Sequence, residues 1–210
     1  VYCSRAGIVN IGVEGMMLIG SLMGVVGSYY TGSALMGALV AIGVNLIVSL
    51  VFAFFAVTIK ADQNVIGTAI NTFATGLTVT VNRVIFGVGT SQNIAVFDRV
   101  AIPGLSKIPI IGEAVFNQAI PVYIALIAVP VLWFILMKTS LGLKIRSVGE
   151  NPQACDTVGI NVYRVRYGTI LFSGALAGLA GAYVSMGQLS SFTEDMIAGR
   201  GFIALAAVVL

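Results

Sequence analysis

The feature that most constrains this chain is the length of its stretches without charge. The 45 residues between Glu14 and Lys60 contain no Asp, Glu, Lys or Arg, and 24 such residues separate Glu113 from Lys138. A helix needs about 20 mostly apolar residues to cross the ~30 Å hydrocarbon core of a bilayer. Only 9% of the chain is charged, whereas soluble domains carry roughly a quarter. The sequence therefore predicts a polytopic helical membrane protein and excludes an ordinary soluble enzyme.

Composition also excludes several kinds of chemistry. The chain contains no histidine, so it has no histidine-based catalytic triad or metal site. Its two cysteines, Cys3 and Cys155, are far apart in sequence and form no metal-binding pair. The net charge of +3 comes from basic residues beside apolar runs, which is typical of membrane topology rather than of nucleic-acid binding. The sequence has no phosphate-binding glycine loop and no nucleophile elbow, so any ATP must be bound by another chain.

We expect about six helical spans, arranged as one all-α membrane domain over residues 1–210. The 45-residue run is divided by a break at 29–33 whose tyrosines favour the lipid–water interface. The more polar run between Asp62 and Arg83 is interpreted as a span with one side against protein or water. Because the chain begins with Val1 and stops inside an apolar run, we expect it to be truncated at both ends. The expected spans cover 15–30, 34–58, 62–83, 119–137, 167–187 and a last run that begins after Arg200.

Proline residues mark interruptions between and within these spans. Residues 87–118 are expected to form an extramembrane loop, and prolines within 102–104 and 108–110 indicate an irregular path with short elements. Pro121 suits the first turn of the following helix. Pro130 lies further inside the same span and predicts a kink there.

The distribution of basic residues predicts the orientation of the chain in the membrane. Five of the 11 Lys and Arg residues lie within 138–166, and loops rich in these residues stay on the cytoplasmic side. Alternation of the spans then places 1–13 and 59–62 inside, and 31–33, 87–118 and 188–199 outside. The polar residues expected at the outer edge, where they contact a binding protein or form a solvated loop, are Gln188, Glu194, Asp195 and Arg200.

The cytoplasmic segment contains a short helix with clear start and stop signals. Asn151 precedes Pro152, an arrangement that resists helix before the proline and favours Asn151 as the N-cap. Gly159 is suited to end the helix, which is therefore expected over 152–158. A capped helix in a basic cytoplasmic loop is either a docking peg for a partner or a connector on the membrane surface, and composition alone does not separate these two readings.

Three separated motifs, in the same order, resemble one family of transport proteins. The segment around Pro152 resembles the coupling segment of bacterial ATP-binding-cassette (ABC) importer permeases of the simple-sugar, nucleoside and branched-chain amino-acid group. Cys155 stands where the family has a second small Ala, and cysteine packs similarly. The segments 7–17 and 198–208 are similar to the nucleoside branch. The residues that match the coupling pattern are Gly149, Asn151, Pro152, Ala154, Cys155, Gly159 and Ile160.

The resemblance implies the permease subunit of an ABC importer in a bacterial cell membrane, with a nucleoside as cargo. It implies alternating access driven by cytoplasmic ATPase subunits that bind ATP and Mg, with no enzyme activity, cofactor or metal on this chain. It further implies a second permease subunit, identical or paralogous, and an extracytoplasmic substrate-binding lipoprotein. Simple sugars and branched-chain amino acids are the alternative cargoes. The residues implied in coupling to the ATPase are Gly149, Glu150, Asn151, Pro152, Ala154 and Gly159.

An ATP-independent secondary transporter is the second class of function. Such a transporter needs intramembrane carboxylates or unwound carbonyls to bind coupling ions. The expected spans contain almost no acid except Glu14, at the edge of the first span. An intramembrane enzyme, as a third class, lacks a plausible acid–base set in this sequence.

Polar residues within two of the expected spans are candidates for a substrate pathway. Asn71, Thr75, Thr78 and Asn82 follow spacings of four, three and four, so they share one face of a helix. Amide and hydroxyl groups on that face either hydrogen-bond a neutral nucleoside or sugar, or hold neighbouring helices together. Asn45 is a further, weaker candidate.

Two polar residues mark the start of the first span. Asn10 and Glu14 are expected at its inner end, where they cap a broken helix or hold an ordered turn among the nearby glycines. A carboxylate inside a membrane is costly, which also makes a functional role possible. Small residues one turn apart, as in Gly20 and Gly24 or Gly174 and Gly178, favour close packing of helices within the chain over sliding surfaces.

Overall fold

The computed structural model describes residues 1–87, 94–101 and 117–209, and this part of the chain is almost entirely helical. The only strands in it, β1 (Arg99–Ala101) and β2 (Asn117–Ala119), pair antiparallel with Arg99 opposite Ala119. The all-α prediction is confirmed. The helices are α1 (Tyr2–Arg5), α2 (Val13–Thr31), α3 (Ala34–Ala53), α4 (Gln63–Phe86), α5 (Ile120–Lys138), α6 (Ser140–Glu150), α7 (Pro152–Thr157), α8 (Val162–Tyr183) and α9 (Arg200–Val209).

Three helical segments of the described chain are long and apolar enough to cross a membrane. They are Ala34–Ile59, Ile120–Lys138 and Val162–Leu189. The first and third are α3 and α8, each extended by one π-helical segment. Helices α2 and α4 are 19 and 24 residues long but carry more polar residues. The expected spans therefore coincide with long helices, although only three of these helices are apolar enough to qualify.

Helix α2 lies at the centre of the bundle and packs against α3 and α8. An added Cβ at Gly20 would lie 2.8 Å from the Cα of Gly178, and one at Gly24 would lie 3.0 Å from the Cβ of Ala182. Such close backbone approach increases dispersion contacts, which matter because lipid offers no hydrophobic drive between helices. The predicted small-residue packing within the chain is confirmed.

The start of α2 lies beside the middle of α8, and the carboxylate of Glu14 is bonded within the bundle. Gly20 against Gly178, and Gly24 against Ala182 four residues later, show that α2 and α8 run parallel, which places Glu14 about level with Phe172. Phe172 is ten residues beyond the start of α8 at Val162, or about 15 Å at 1.5 Å per residue. Glu14 lies in the first turn of α2, at the end of the first span where it is expected, about 15 Å along α8 from its start. Residues 6–12 lead to this start from the basic end, where Gly7 lies against Gly149.

The expected outer loop at 188–199 is irregular from residue 190, with Gln188 and Glu194 exposed, but its later residues turn back into the bundle. Phe192, Met196 and Ile197 are buried in the cluster that contains Leu18 and Leu22 of α2. The segment ends where the backbone nitrogen of Gly199 donates to Glu14. Irregular backbone at membrane depth is tolerated where protein surrounds it and satisfies its polar groups. Helix α9 starts at that depth and runs back so that Val208 lines a cavity with Arg5 and Gly149.

The basic segment 138–166 is more helical than expected. Besides the expected short helix, it contains α6, whose first turn is capped where the Thr139 hydroxyl accepts from the backbone nitrogen of Gly142 at 3.4 Å. Helix α8 begins at Val162, five residues before the predicted start of its span. The charges of this segment therefore lie on helices rather than on a loop.

The described part of the expected loop at 87–118 packs on the end of the bundle opposite the basic segment. The Ser28 hydroxyl donates to the carbonyl of Ala95 at 2.7 Å, and the backbone nitrogen of Phe97 donates to the carbonyl of Met186 at 3.2 Å. Pro130 lies inside α5. The expected proline turns at 102–104 and 108–110 lie outside the described residues.

Candidate coupling site and transport pathway

Helix α7 projects an exposed face from the basic end of the molecule. The Asn151 side chain accepts from the backbone nitrogen of Ala154 at 3.0 Å, and Pro152 occupies the first turn, so the local sequence fixes where the helix begins. The chain leaves the helix at Gly159, whose φ of 83° suits a glycine. Cys155 is buried and anchors the helix, whereas Val158 is 79% exposed. We call the exposed residues Gln153, Ala154, Thr157 and Val158 the α7 face.

Gly149 connects the coupling segment to the N-terminal part of the bundle. A Cβ on Gly149 would collide with the carbonyl oxygen of Arg5 and lie 3.1 Å from the backbone nitrogen of Gly7. This residue therefore packs inward against the end of α1, while Glu150 beside it is exposed. Of the predicted coupling residues, Asn151, Pro152 and Gly159 shape α7, Ala154 lies on its face, and Gly149 joins it to the bundle.

The basic residues expected on the cytoplasmic side lie together at one end of the molecule. Lys60 and Arg166 line one cavity, of about 400 Å³, with Pro152 of α7. Arg5 and Arg146 line a second cavity, of about 1120 Å³. The three expected inner segments, 1–13, 59–62 and 138–166, therefore meet at this end.

The packing of α4 buries some of the residues that were predicted to share its polar face and leaves others exposed. Thr78 is buried and donates to the carbonyl of Ala74 at 2.7 Å, and Asn71 points toward α2. Thr75 is exposed and Asn82 is half-buried. At about 100° per residue, the four side chains span an arc of roughly 60°, and the boundary between buried and exposed surface runs through it. Asn45 is buried beside Gly20 and Gly178, where its amide donates to Ala41.

Asn71 holds the interrupted start of α2. Its side-chain oxygen accepts from the backbone nitrogen of Gly15 at 2.8 Å, and its amide donates to the carbonyl of Ile11 at 3.1 Å. These bonds satisfy backbone groups that the break in the helix leaves without partners. The structure therefore gives Asn71 a bracing position between α4 and α2.

Sequence reasoning missed a row of exposed threonines on α4. Thr68, Thr72 and Thr75 each donate to the carbonyl four residues earlier, at 3.0 Å. Their hydroxyl protons are thus engaged, while an oxygen lone pair of each remains able to accept. We call these residues the α4 threonine row. The threonine repeat at spacings of four and three indicates such a row, although only Thr75 is among the predicted pathway residues.

Glu14 joins the start of α2 to the start of α9. Its carboxylate accepts from the backbone nitrogens of Gly199 and Gly201 at 2.8 and 2.6 Å. The position of a carboxylate at a helix N-terminus is electrostatically favourable. Asn10 is buried nearby in sequence, where its amide contacts the sulfur of Met16 at 3.6 Å. Both residues of the predicted entry turn therefore lie within the bundle.

The residues expected at the outer edge form two separate contacts. Arg83 and Glu194 form an exposed ion pair of 2.9 Å at the end of α4. Arg200 instead starts α9 between the two glycines bound to Glu14, and its guanidinium donates to the side-chain oxygen of Gln188 at 2.8 Å. Arg200 is exposed like Gln188, although its backbone lies next to the two glycines that bind Glu14. Asp195, in the returning segment, has a φ of 55°.

The described residues contain no group of three or more His, Cys, Asp or Glu side chains that could hold a metal ion. The geometry of the site is therefore one of helix breaks, caps and polar surfaces. Such an arrangement can transmit movement between helices and can expose hydrogen-bonding groups to a solute.

The chain is similar in sequence to known membrane permeases. The sequence profile of the family described as "Branched-chain amino acid transport system / permease component" matches residues 2–210. The guanosine ABC transporter permease protein NupQ of Bacillus subtilis is 42% identical, over 100% of this chain and 68% of its own length. The nucleoside ABC transporter permease protein NupC of Lactococcus lactis is 39% identical over the same shares.

A third relative is named for a different cargo. The putative glucose ABC transporter permease protein TsgC13 of Haloferax volcanii is 39% identical, over 98% of this chain and 62% of its own length. The chain thus spans about two thirds of the length of these relatives. No solved structure matches the chain.

Proposed function

The chain belongs to the family of permease components of branched-chain amino acid transport systems, and from this membership we propose that it is the membrane-spanning subunit of an ABC importer for nucleosides. The guanosine and nucleoside permeases among its relatives support that cargo. The glucose permease supports a simple sugar as the alternative. The relatives are integral plasma-membrane permeases, and this protein is likewise a multi-pass membrane protein. Permeases of this family work with ATPase and substrate-binding partners.

The observation that carries the proposal is the α7 face at the basic end of the molecule. A short helix with a side-chain cap, a buried anchor and an exposed apolar tip is suited to a socket on a partner. Val158 would lose much of its exposed apolar surface in such a socket, at about 25 cal/mol per Å² removed from water. We assign the ATPase subunits, which bind ATP and Mg, to this cytoplasmic face.

The contacts around Gly149 provide a path from the α7 face to the membrane interior. Movement of α7 displaces α6, and Gly149 of α6 abuts the backbone of Arg5 and Gly7. Residues 6–12 then lead to the start of α2, which is held by Asn71 of α4 and, through Glu14, by the start of α9. A push at the cytoplasmic face therefore tilts α4 and α9 relative to the central bundle, which is the movement that alternating access requires.

The α4 threonine row is the proposed wall of the transport pathway. Its free lone pairs can accept hydrogen bonds from ribose hydroxyls and from base N–H groups. A polar exposed row on a helix of modest hydropathy faces water or another subunit more favourably than lipid. We propose that a second permease subunit, identical or paralogous, supplies the opposite wall, and that an extracytoplasmic binding lipoprotein delivers cargo at the end near Arg83.

The test uses the full-length permease co-expressed with its ATPase and binding-protein partners. Val158→Arg places a charge on the α7 face, and Val96→Arg, at an exposed apolar residue of the opposite end, is the matched control. We expect Val158→Arg to lose at least tenfold of the co-purifying ATPase while cargo binding is retained, and Val96→Arg to behave as wild type. Uptake that continues without nucleotide in both variants would instead favour an ATP-independent transporter.

A further inference from the structure

A groove between α5, α6 and α8 adjoins the coupling segment at Gly159 but has no part in the transport path described above. Its volume is about 620 Å³, within the ~300–1,000 Å³ usual for small-molecule sites. We call it the α5–α8 groove. Helix α5, which forms one wall, is among the least buried helices of the described chain, with 11% of its apolar window buried. The groove therefore opens toward the surroundings of the bundle and not toward its core.

The floor of the groove is apolar and ordered by an aromatic pair. The rings of Tyr2 and Phe172 lie 5.4 Å apart, and the Tyr2 hydroxyl donates to the carbonyl of Leu132 at 2.7 Å. Ile135 of α5 continues this wall toward the basic end. Gly168 of α8 deepens the groove, because an added Cβ there would meet no atom within 4 Å.

The mouth of the groove is positively charged. Lys144 of α6 and Arg164 of α8 line it and are exposed, and no acidic residue is among its lining residues. Within the described residues, neither cation has an acidic side chain at ion-pair distance. The N-terminus of α8, capped by Asn161, also lies at the mouth and adds a partial positive charge.

The distance between charge and apolar floor matches the boundary of a membrane. Helix α5 ends at Lys138, and Ile135 and Leu132 lie about 4.5 and 9 Å further in at 1.5 Å per residue. The mouth therefore lies at the level of lipid headgroups, while the floor lies beside acyl chains. Basic pockets between membrane helices on the cytoplasmic side are sites for anionic headgroups.

We propose that the α5–α8 groove binds an anionic phospholipid of the cytoplasmic leaflet. Lys144 and Arg164 donate to its phosphate in charge-assisted hydrogen bonds, and one acyl chain lies along Leu132, Ile135 and Phe172. The charge complementarity of the mouth and the apolar wall behind it select this occupant over a soluble anion, which has nothing to place on the floor. The lipid would bridge α5 and α8 on either side of the coupling segment.

The charge of the mouth is tested by the lipid that stays bound. The full-length permease is purified with its partners from bacterial membranes, and bound lipids are identified by native mass spectrometry. We expect wild type to retain phosphatidylglycerol and the double variant Lys144→Gln, Arg164→Gln to lose at least tenfold of it. Lys60→Gln, which removes a cation of the same end but outside the groove, is expected to retain the lipid. Equal retention by the double variant overturns the proposal.

The apolar floor is tested without changing any charge. Gly168→Leu fills the groove, whereas Gly43→Leu adds the same side chain at another open position on α3. We expect Gly168→Leu alone to lose the bound lipid, with both variants folded and associated with the ATPase. A photo-crosslinking residue at Leu141 distinguishes the occupants further. Cross-links to phospholipid support the proposal, and cross-links to a protein segment or a second copy overturn it.

Discussion

The carboxylate of Glu14 lies 2.6 Å from the backbone nitrogen of Gly201, although 187 positions separate the two residues in sequence. With the second bond to Gly199, Glu14 occupies the place of a cap for α9. A hydrogen bond to a charged group contributes about 1.5–3 kcal/mol. The two bonds that Glu14 accepts therefore fix how the starts of α2 and α9 meet.

Replacement of Glu14 is expected to destabilise the bundle. Glu14→Ala leaves the nitrogens of Gly199 and Gly201 without their acceptor, and we expect a loss of about 2–4 kcal/mol in unfolding free energy. Glu14→Gln keeps one acceptor and is expected to lose less. Thermal or denaturant unfolding of the purified full-length permease measures both. Glu150→Gln, at an exposed acid, is the control, and an equal effect of that variant would contradict the assigned role.

Asn71→Leu removes both bonds that hold the start of α2. The side chain has a similar volume but no polar group, so the nitrogen of Gly15 and the carbonyl of Ile11 lose their partners. We expect destabilisation by about 1–3 kcal/mol for each unsatisfied group, together with loss of uptake. Asn71→Asp keeps the acceptor for Gly15 and is expected to retain more stability. If Asn71→Leu unfolds like wild type, the bracing position is not energetically important.

Gly149→Ala is expected to separate ATP hydrolysis from transport. The added methyl group collides with the carbonyl of Arg5, so α6 and α1 must move apart. Cargo-stimulated ATP hydrolysis by the assembled transporter should fall by about tenfold, with basal hydrolysis retained. Gly43→Ala, at an open position of α3, provides the comparison. A Gly149→Ala transporter with normal cargo stimulation would show that force does not pass through this contact.

Substitutions of the α4 threonines are expected to change the KM for cargo uptake only where the side chain is exposed. Thr72→Val and Thr75→Val remove acceptors from the α4 threonine row, and we expect the KM for cargo uptake to rise about threefold to tenfold, as one lost hydrogen bond of 0.5–1.5 kcal/mol predicts. Thr78→Val, at a buried residue bonded to its own helix, should leave the KM unchanged. The same increase in all three variants would indicate a general effect on the helix rather than contact with cargo.

The ion pair between Arg83 and Glu194 is expected to contribute little to the free energy of unfolding. Its side chains are 57% and 49% exposed, and solvent-exposed pairs typically contribute below about 1 kcal/mol. Arg83→Gln should therefore change the unfolding free energy by less than Glu14→Ala does. A double-mutant cycle with Glu194→Gln measures the pair directly, and a coupling energy above 2 kcal/mol would contradict this expectation.

Features set by neighbours in sequence could be predicted, because their causes are local. Asn151 and Pro152 start a helix through steric exclusion and one side-chain bond, and Gly159 ends it through its backbone freedom. The break between α2 and α3 likewise occurs at Gly32, with a φ of 66°. These elements appear within one or two residues of their predicted ends.

Features that depend on distant pairings could not be predicted. The depth of Glu14 follows from the register between α2 and α8, and its partners come from a segment 185 residues later. That segment contains Glu194 and Asp195, and charges of this kind are typical of a loop in water. Helix α6 was missed for a related reason, since its two cations concealed the spacing of Leu141, Ile145 and Val148 along one face.

The return of residues 190–199 into the bundle has a consequence for biogenesis. Glu14 is synthesised 185 positions before Gly199, so its carboxylate exists before these backbone donors do. The Glu14 carboxylate is therefore without these two donors until residues 199–201 have been synthesised. The site closes only when the start of α9 reaches Glu14.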